Sequence, residues 1–588
     1  MIEWIHPGLL LIVGAAFIPL FRGSLKKIYM LALPTAALIA CIFTTPGTHG
    51  VVKFLGYDLI LGRVDKLSLL FSYVFSIMGI IGVVYALHVK DDAQHVSSLV
   101  YVGSALGVTF AGDFFSLFVF WEIMAFAPTV LVWSNKSKES IDAGFRYLLV
   151  HIFGGICLMG GAMLHLAETG SIEFSSMMAY EGGLAFYLVL LGFLINAAVP
   201  PFGAWLPDAY PEATVTGAVF MTAFTTKSAV YVLIRGFAGT ELLIWMGAIM
   251  ALYGVVYAVL ENDARRLLAY HIISQVGYMV CGVGIGTEMA LNGASSHAFA
   301  HILYKGLLFM GAGAVLEMTG KRKLTEMGGL YKTMPVTMVL YMIGGFAISG
   351  VPLFSGFVSK SMVVSAAGEN HMAIPFLMLT LASAGTFLHT GLKLPYYMFF
   401  GKDSGIRTKE PPTNMLIAMG MAAFVCIFFG VFPGVLYNYL PFETDYAPYT
   451  IGHTVSTLGM LGFTALGFFM LLKMLDPEAT ASLDTDWFYR KGAKAFMWLV
   501  NNPVVTLEYN VVGEAYEFII QKPILKLAQI FRSVDAAFID GSANGLGKVT
   551  MAWSRVMQVL QTGQTQIYAT VMALGIFVTV ALILLLEG

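Results

Sequence analysis

Charge is scarce in this sequence. Only 12% of its 588 residues are Asp, Glu, Lys or Arg, against 58% hydrophobic, and its mean hydropathy is +0.78. A soluble domain carries about 25% charged residues, so a chain this poor in charge cannot cover a water-facing surface. The net charge of −2 offers no basic face, which excludes nucleic acid as a partner. Cysteine is sparser still: Cys41, Cys157, Cys281 and Cys426 stand singly in apolar runs, with no CxxC. That spacing points away from iron–sulfur or zinc ligation and towards buried small hydrophobes. No cofactor and no metal is expected. The opening MIEWIHPGLLLIVGAAFIPLFRG lacks a basic start and a small-residue cleavage site, so it reads as a first span and not a removable leader.

What is abundant is long apolar runs, such as LSLLFSYVFSIMGIIGVVYALH from Leu67 and LIWMGAIMALYGVVYAVL from Leu243. They are continuous and not alternating, which predicts membrane helices and excludes a barrel. Cutting the runs at their polar breaks predicts an all-α polytopic membrane protein of about 16 spans at roughly 20 residues each. Loops after odd-numbered spans carry the Lys and Arg: RGSLKK, NKSKES, ENDARR, GKRK and GKDSGIRTK. Loops after even spans are bare or acidic, such as ETGSIEFSSMMAYEGG and PFETDYAP. The positive-inside rule then puts the N-terminus outside and the basic loops in the cytoplasm, as expected in a prokaryotic inner membrane. One loop, Val51 to Lys66, breaks the pattern and reads as a short extracytoplasmic hairpin.

Two apolar segments are interrupted by proline and glycine: AAVPPFGAWLPDAYPEATVTG, Ala197 to Gly217, and ISGVPLFSGFVSK, Ile348 to Lys360. Such breaks are tolerated where the freed backbone faces protein or water, and a matching pair suggests a transporter built as an inverted repeat. The expected divisions are N-terminal spans over 1–98, a first half-channel over 99–238, a second over 239–402, and C-terminal spans over 403–475. An amphipathic surface segment over 476–565 and a last span over 566–588 complete the chain.

Against this background a few ionisable groups stand out, because charge within a span is costly and marks ion or proton paths. Glu122 is the only charge in FFSLFVFWEIMAFAPTVLVW, and Lys227 the only one in VFMTAFTTKSAVYVLI. SHAFAHILYKGLLF carries His297, His301 and Lys305, and ASAGTFLHTGLKLPYYMFF carries His389 and Lys393. The i, i+4, i+8 spacing stacks His297, His301 and Lys305 on one helix face over about 12 Å. Imidazole both donates and accepts and titrates near neutral pH, and desolvation readies a buried lysine to release a proton. The three therefore form a candidate proton relay. Three satisfied structural residues, or a zinc-binding His pair lacking a nearby Glu, are the alternatives. His389, one turn before Lys393, is a candidate to hand protons to it; further accessory candidates are His151, Asp208 with Glu212 in the first break, and Lys360 after the second. For these a hydrogen-bonded contact, a loop salt bridge or cap, and a snorkelling helix end compete with a role in transport.

Taken in order, WLPDAYPEA, TTKSAVYVLIR, NDARRLLAYHIISQVGYM, HAFAHILYKGLLFMGAG and GVPLFSGFVSK resemble the antiporter-like subunits of respiratory complex I and Mrp-type Na⁺/H⁺ antiporters. The resemblance runs roughly from Leu99 to Lys402, and among these proteins it suits the D-type Mrp component best. The tail, with VDAAFIDGSANGLGKV and LQTGQTQIYA, is more similar to the largest of the complex I antiporter-like subunits, in which a lateral helix runs along its neighbours.

The resemblance implies a component of a transporter, not an enzyme with its own redox centre. It would move H⁺, with Na⁺ as counter-ion, beside other antiporter-like or small membrane subunits. It implies proton transfer at Glu122, Lys227, His297, His301, Lys305 and Lys393. Protons would enter by a cytoplasmic path towards Lys227 and Glu122, cross through His297, His301 and Lys305, and leave near Lys393. A proton-pumping role within a redox complex is the rival reading. One departure stands out: many members carry a lysine where this chain has Asn196, so Glu122 lacks its usual partner. Left unpaired at that depth, Glu122 would be protonated much of the time; alternatively Lys227 replaces the partner, the preferred expectation, or Glu122 and the Asn196 carbonyl supply oxygen ligands to a hard cation such as Na⁺.

Overall fold

The computed structural model describes residues 4–478 and 484–586. Residues 1–3, 479–483 and 587–588 lie outside it, and with them parts of the expected first span, surface segment and last span. Among the described residues the elements are helices and one hairpin, Gly47–Phe54 paired with Tyr57–Val64, where the lone odd loop was expected. Twelve helices among the described residues are long and apolar enough to cross a membrane, and three shorter apolar ones accompany them. The expected count of about 16 is not confirmed by these. The chain divides into two units, Met1–Trp487 and Phe488–Gly588. The second consists of helical turns with π-helical stretches at Val500–Val504, Glu508–Gly513, Glu517–Gln521 and Asp535–Asp540, followed by the apolar Thr565–Leu586 helix.

The first unit contains a repeat with an offset of 150 residues. Asp113 caps the Phe114–Trp133 helix as Asp263 caps Ala264–Ile285. Ser137 and Thr287 cap two 32-residue helices, Lys138–Thr169 and Glu288–Thr319. Both end at a left-handed glycine, Gly170 (φ 73°) and Gly320 (φ 68°), a conformation that costs glycine little. Asp113 bridges to Glu173 and Asp263 to Lys323. Five passes of the chain separate the two aspartates. An odd number of passes turns the second copy upside down, which makes the repeat an inverted one.

Each copy contains a broken helix. In the first, Leu184–Asn196 stops before Ala197 and helix resumes at Trp205–Ala209. Pro200 and Pro201, joined by a cis peptide, can offer no N–H to a helix there. A second interruption at residues 222–224 parts Val215–Met221 from Thr225–Gly236. In the other copy Pro335–Ser349 ends at Gly350 (φ 74°), and helix restarts at Ser355–Glu369.

Lipid tails are as apolar as leucine, so helices associate here through close backbone approach. The Glu241–Leu260 and Ala264–Ile285 helices meet on glycine: a Cβ at Gly247 would lie 2.2 Å from the Cys281 nitrogen, and one at Gly254 2.4 Å from the Ser274 nitrogen. Polar ties join the two copies. Arg322 donates Nη1 to Glu212 Oε1 at 2.9 Å, and its Nε lies 2.8 Å from Asp263 Oδ2. Arg265 Nη2 donates to the carbonyls of Tyr210 (3.2 Å), Ala213 (2.9 Å) and Thr214 (3.2 Å).

Candidate ion-translocation site

In the first copy Glu122 projects from the Phe114–Trp133 helix towards Gly155. A Cβ at Gly155 would lie 1.8 Å from Glu122 Oε1, so the absent side chain is what makes room for the carboxylate. One residue earlier, a Cβ at Gly154 would lie 3.5 Å from Asn196 Oδ1. Glu122 Oε1 and Asn196 Oδ1 are both buried without a hydrogen-bond partner. His151 lies one turn before Gly155. Its Nδ1 is 2.8 Å from the Tyr147 carbonyl, its ring stacks on Tyr147 at 3.9 Å, and its Nε2 has no partner. The repeat offset sets His151 opposite His301, and Gly155 opposite Lys305.

Lys227 does not pair with Glu122, contrary to the preferred expectation. Its Nζ donates to the Thr222 carbonyl at 2.6 Å and to Thr226 Oγ1 at 3.0 Å. The interruption at 222–224 frees that carbonyl from helical bonding, and the ammonium takes it. From there Lys227 is within electrostatic reach of His297, His301 and Lys305. All four are 0% exposed.

His297, His301 and Lys305 share one buried face, with the His297 ring oriented by neighbours. Ser359 Oγ donates to the Ser355 carbonyl (3.0 Å), which leaves it to accept from His297 Nδ1 at 3.2 Å. His297 Nε2 is then the acceptor for the Tyr304 hydroxyl at 3.4 Å. The His297 and His301 ring centroids are 6.2 Å apart, and both nitrogens of His301 lack partners. No direct hydrogen bond among the described residues joins Lys227 to His301. Lys305 Nζ lies 3.1 Å from His271 Nδ1, a contact the sequence reading missed.

Lys360 is buried just after the second break, with Nζ 3.3 Å from the Ile348 carbonyl and 5.5 Å from the centre of the Tyr278 ring. It lines a cavity of about 290 Å³ with Ser349, Ser361, Ser383 and His453. Lys393 is placed differently. Its Nζ donates to the Val259 carbonyl at 2.5 Å, two residues before the ENDARR loop. It therefore lies towards the face that carries the basic loops. The expected release of protons near Lys393 would return them to the side of uptake. His389 lies one turn from Lys393 in the π-helical stretch Phe387–Lys393, with Nδ1 2.7 Å from Thr390 Oγ1. Such wide turns recur at functional sites. Asp208 accepts two bonds from Arg146, at 2.7 and 2.9 Å, and Glu212 pairs with Arg322, so both acids of the first break are in salt bridges.

Comparison with known proteins adds the family. Residues 111–388 match the transmembrane family described as NADH:quinone oxidoreductase/Mrp antiporter. An uncharacterised protein of Methanocaldococcus jannaschii is 29% identical over 74% of this chain and 96% of its own length. The A/B-type component of a probable K⁺/H⁺ antiporter of Rhizobium meliloti is 30% identical over 70% of this chain. The A-type component of a Na⁺/H⁺ antiporter of Alkalihalophilus pseudofirmus is 29% identical over 72%. The chain spans only 46% and 60% of the length of those two. These named relatives are of the A type, so they lend the expected D-type label no support.

The fold matches the structure of an Mrp complex from Dietzia sp. (TM-score 0.67, 22% identity, 78% of this chain and 98% of that one). It also matches that of a membrane-bound sulfane sulfur reductase, an archaeal respiratory membrane complex (TM-score 0.69, 24% identity, 98% and 99%). The inverted repeat and most of the buried charges fall in the segment, residues 111–388, that matches the transmembrane family shared by NADH:quinone oxidoreductases and Mrp antiporters.

Proposed function

We propose that this chain is the ion-translocating subunit of a monovalent cation/proton antiporter complex in a prokaryotic inner membrane, N-terminus outside, with residues 99–238 and 239–402 as its half-channels. Protons pass between Glu122 and Lys227 in the first copy and His297, His301 and Lys305 in the second. Each arriving charge lowers the proton affinity of its neighbour, so the groups titrate as a coupled set. The observation that carries this reading is the fully buried cluster of Lys227, His297, His301 and Lys305, within electrostatic reach of one another between two broken helices. Proton release is assigned to the Lys360 cavity, in place of Lys393. The cavity is lined by Phe376 and Ser365, which lie near the ends of helices remote from the basic loops. The neighbouring subunits are other antiporter-like or small membrane proteins.

The counter-ion is Na⁺, coordinated by the unpartnered oxygens of Glu122 and Asn196. Relatives named as components of Na⁺/H⁺ and K⁺/H⁺ antiporters support an alkali cation. A second reading, a proton-pumping role within a redox complex, is supported by the respiratory complex whose chain this one matches almost end to end. Proton movement in everted vesicles holding the assembled complex, with and without Na⁺, tests the choice. Antiport stimulated by Na⁺ supports the first reading. Proton movement that needs an electron donor and ignores Na⁺ overturns it.

A further inference from the structure

The contact between Lys305 and His271 is not used by the path just described. His271 lies in the Ala264–Ile285 helix, fully buried, with its ring between Lys305 on one side and the Thr386–His389 turn on the other. The hydrogen bonds fix its tautomer. Thr386 Oγ1 donates to the Ala382 carbonyl at 2.8 Å, which spends its only proton. It can then only accept from His271 Nε2 at 3.1 Å, as it does from Gln275 Nε2 at 3.3 Å. The hydrogen of the neutral ring is therefore on Nε2, and the bare lone pair on Nδ1 faces Lys305 Nζ at 3.1 Å. On the far side the His389 ring stands edge-on, with centroids 4.7 Å apart, and its Nε2 is buried without a partner. One turn further is Lys393, at the face of the ENDARR loop.

We propose that His271 is a proton-transfer residue joining Lys305 to His389 and Lys393, so that the second copy has its own proton port at the face of the basic loops. This rests on the proton-path reading above and extends it. Lys305 as ammonium gives a proton to His271 Nδ1: one N–H bond breaks at Nζ and one forms on the ring. The imidazolium then releases its Nε2 proton to His389 Nε2. One proton has moved and no electron. His271 is left as the Nδ1–H tautomer, and its return to the Nε2–H form completes a cycle. The same steps reversed load Lys305 from the port. The charged or titratable groups acting on His271 are Lys305, His389, Lys360 and His301, drawn from three neighbouring helices.

The test uses membrane vesicles holding the assembled complex, with proton movement followed by a pH-sensitive dye. His271→Asn keeps a donor for Thr386 and an acceptor for Lys305 but cannot carry a proton, so a purely structural role would survive it. The expected result is a rate at least tenfold below wild type with normal assembly, and a similar loss in Lys393→Ala. A rate for His271→Asn within twofold of wild type, while Lys305→Ala is inactive, overturns this inference and leaves the reading it rests on intact. An active Lys305→Ala overturns both. Should His271→Asn not assemble, Thr386→Val decides: it removes the oxygen that fixes the tautomer and leaves the ring. A severalfold slower rate supports the port, and an unchanged rate overturns it.

Discussion

The Glu122 carboxylate occupies the space that Gly155 leaves empty, at the position where the other copy has Lys305. An acid in one half thus sits where the other half supplies a base. Gly155→Ala tests whether that fit matters. The new methyl meets the end of a flexible side chain and not backbone, so the protein should fold and assemble normally while the carboxylate shifts. Transport should fall about tenfold, which corresponds to about 1.4 kcal/mol in the barrier. Vesicle assays of Gly155→Ala beside Glu122→Gln make the comparison, and full activity in both would remove Glu122 from the path.

Asn196→Lys tests the cation site. A lysine beside Glu122 supplies the missing counter-charge and displaces any alkali ion held by the two oxygens. Protein levels should stay normal and sodium dependence should vanish. An unchanged sodium response disposes of the site.

The glycine contact between the Glu241–Leu260 and Ala264–Ile285 helices is a stability prediction. Gly247→Ala would drive a methyl into the backbone at Cys281, which cannot yield as a side-chain tip can. A cost of about 2–3 kcal/mol is expected from overpacking. Thermal unfolding of the detergent-solubilised complex should show a clear drop, whereas Gly420→Ala, with open space around it, should show none.

A pH prediction comes from the loop face. Asp403 accepts from Arg407 at 2.9 Å, Lys332 at 2.7 Å and the Gly405 N–H at 2.9 Å. Those donors, Arg407 first, hold its carboxyl well below the usual carboxylate range. A depressed acid stabilises the fold above its unfolded value, about 3.9, and that contribution is lost as pH falls towards the folded one. Protease resistance of the 401–411 loop should therefore be flat from pH 8 to 5 and decline only below about pH 4. Asp403→Asn should be cut faster throughout. A wild-type loop that loosens between pH 7 and 5 would refute this.

Much of this was legible in the sequence. Proline and glycine inside apolar runs marked both breaks, and single charges in otherwise uncharged spans marked the buried cluster of Lys227, His297, His301 and Lys305. Lys227 was misread because its partner depends on a backbone event: the interruption at 222–224 exposes the Thr222 carbonyl, and nothing in TTKSAVYVLIR announces that. Lys393 lay in a long apolar run, but its depth depends on where the neighbouring helix ends, at Leu260, one residue after the Val259 carbonyl it meets. His271 was visible on the same grounds as His389. What was hidden was its contact with a lysine 34 residues away, which only the packing of two helices creates. The 150-residue offset was hidden too, because the two copies share caps and helix lengths more than residue types.

Arg322 grips acids of both copies at once, and Arg265 reaches across the same seam to three carbonyls. At that face the halves are latched. Rocking one half against the other, the usual way such duplicated carriers expose a cargo alternately to either compartment, would tear the latch open at every turnover. The proposed proton path asks for no such rocking: it would be switched by single side chains moving inside a frame that stays shut.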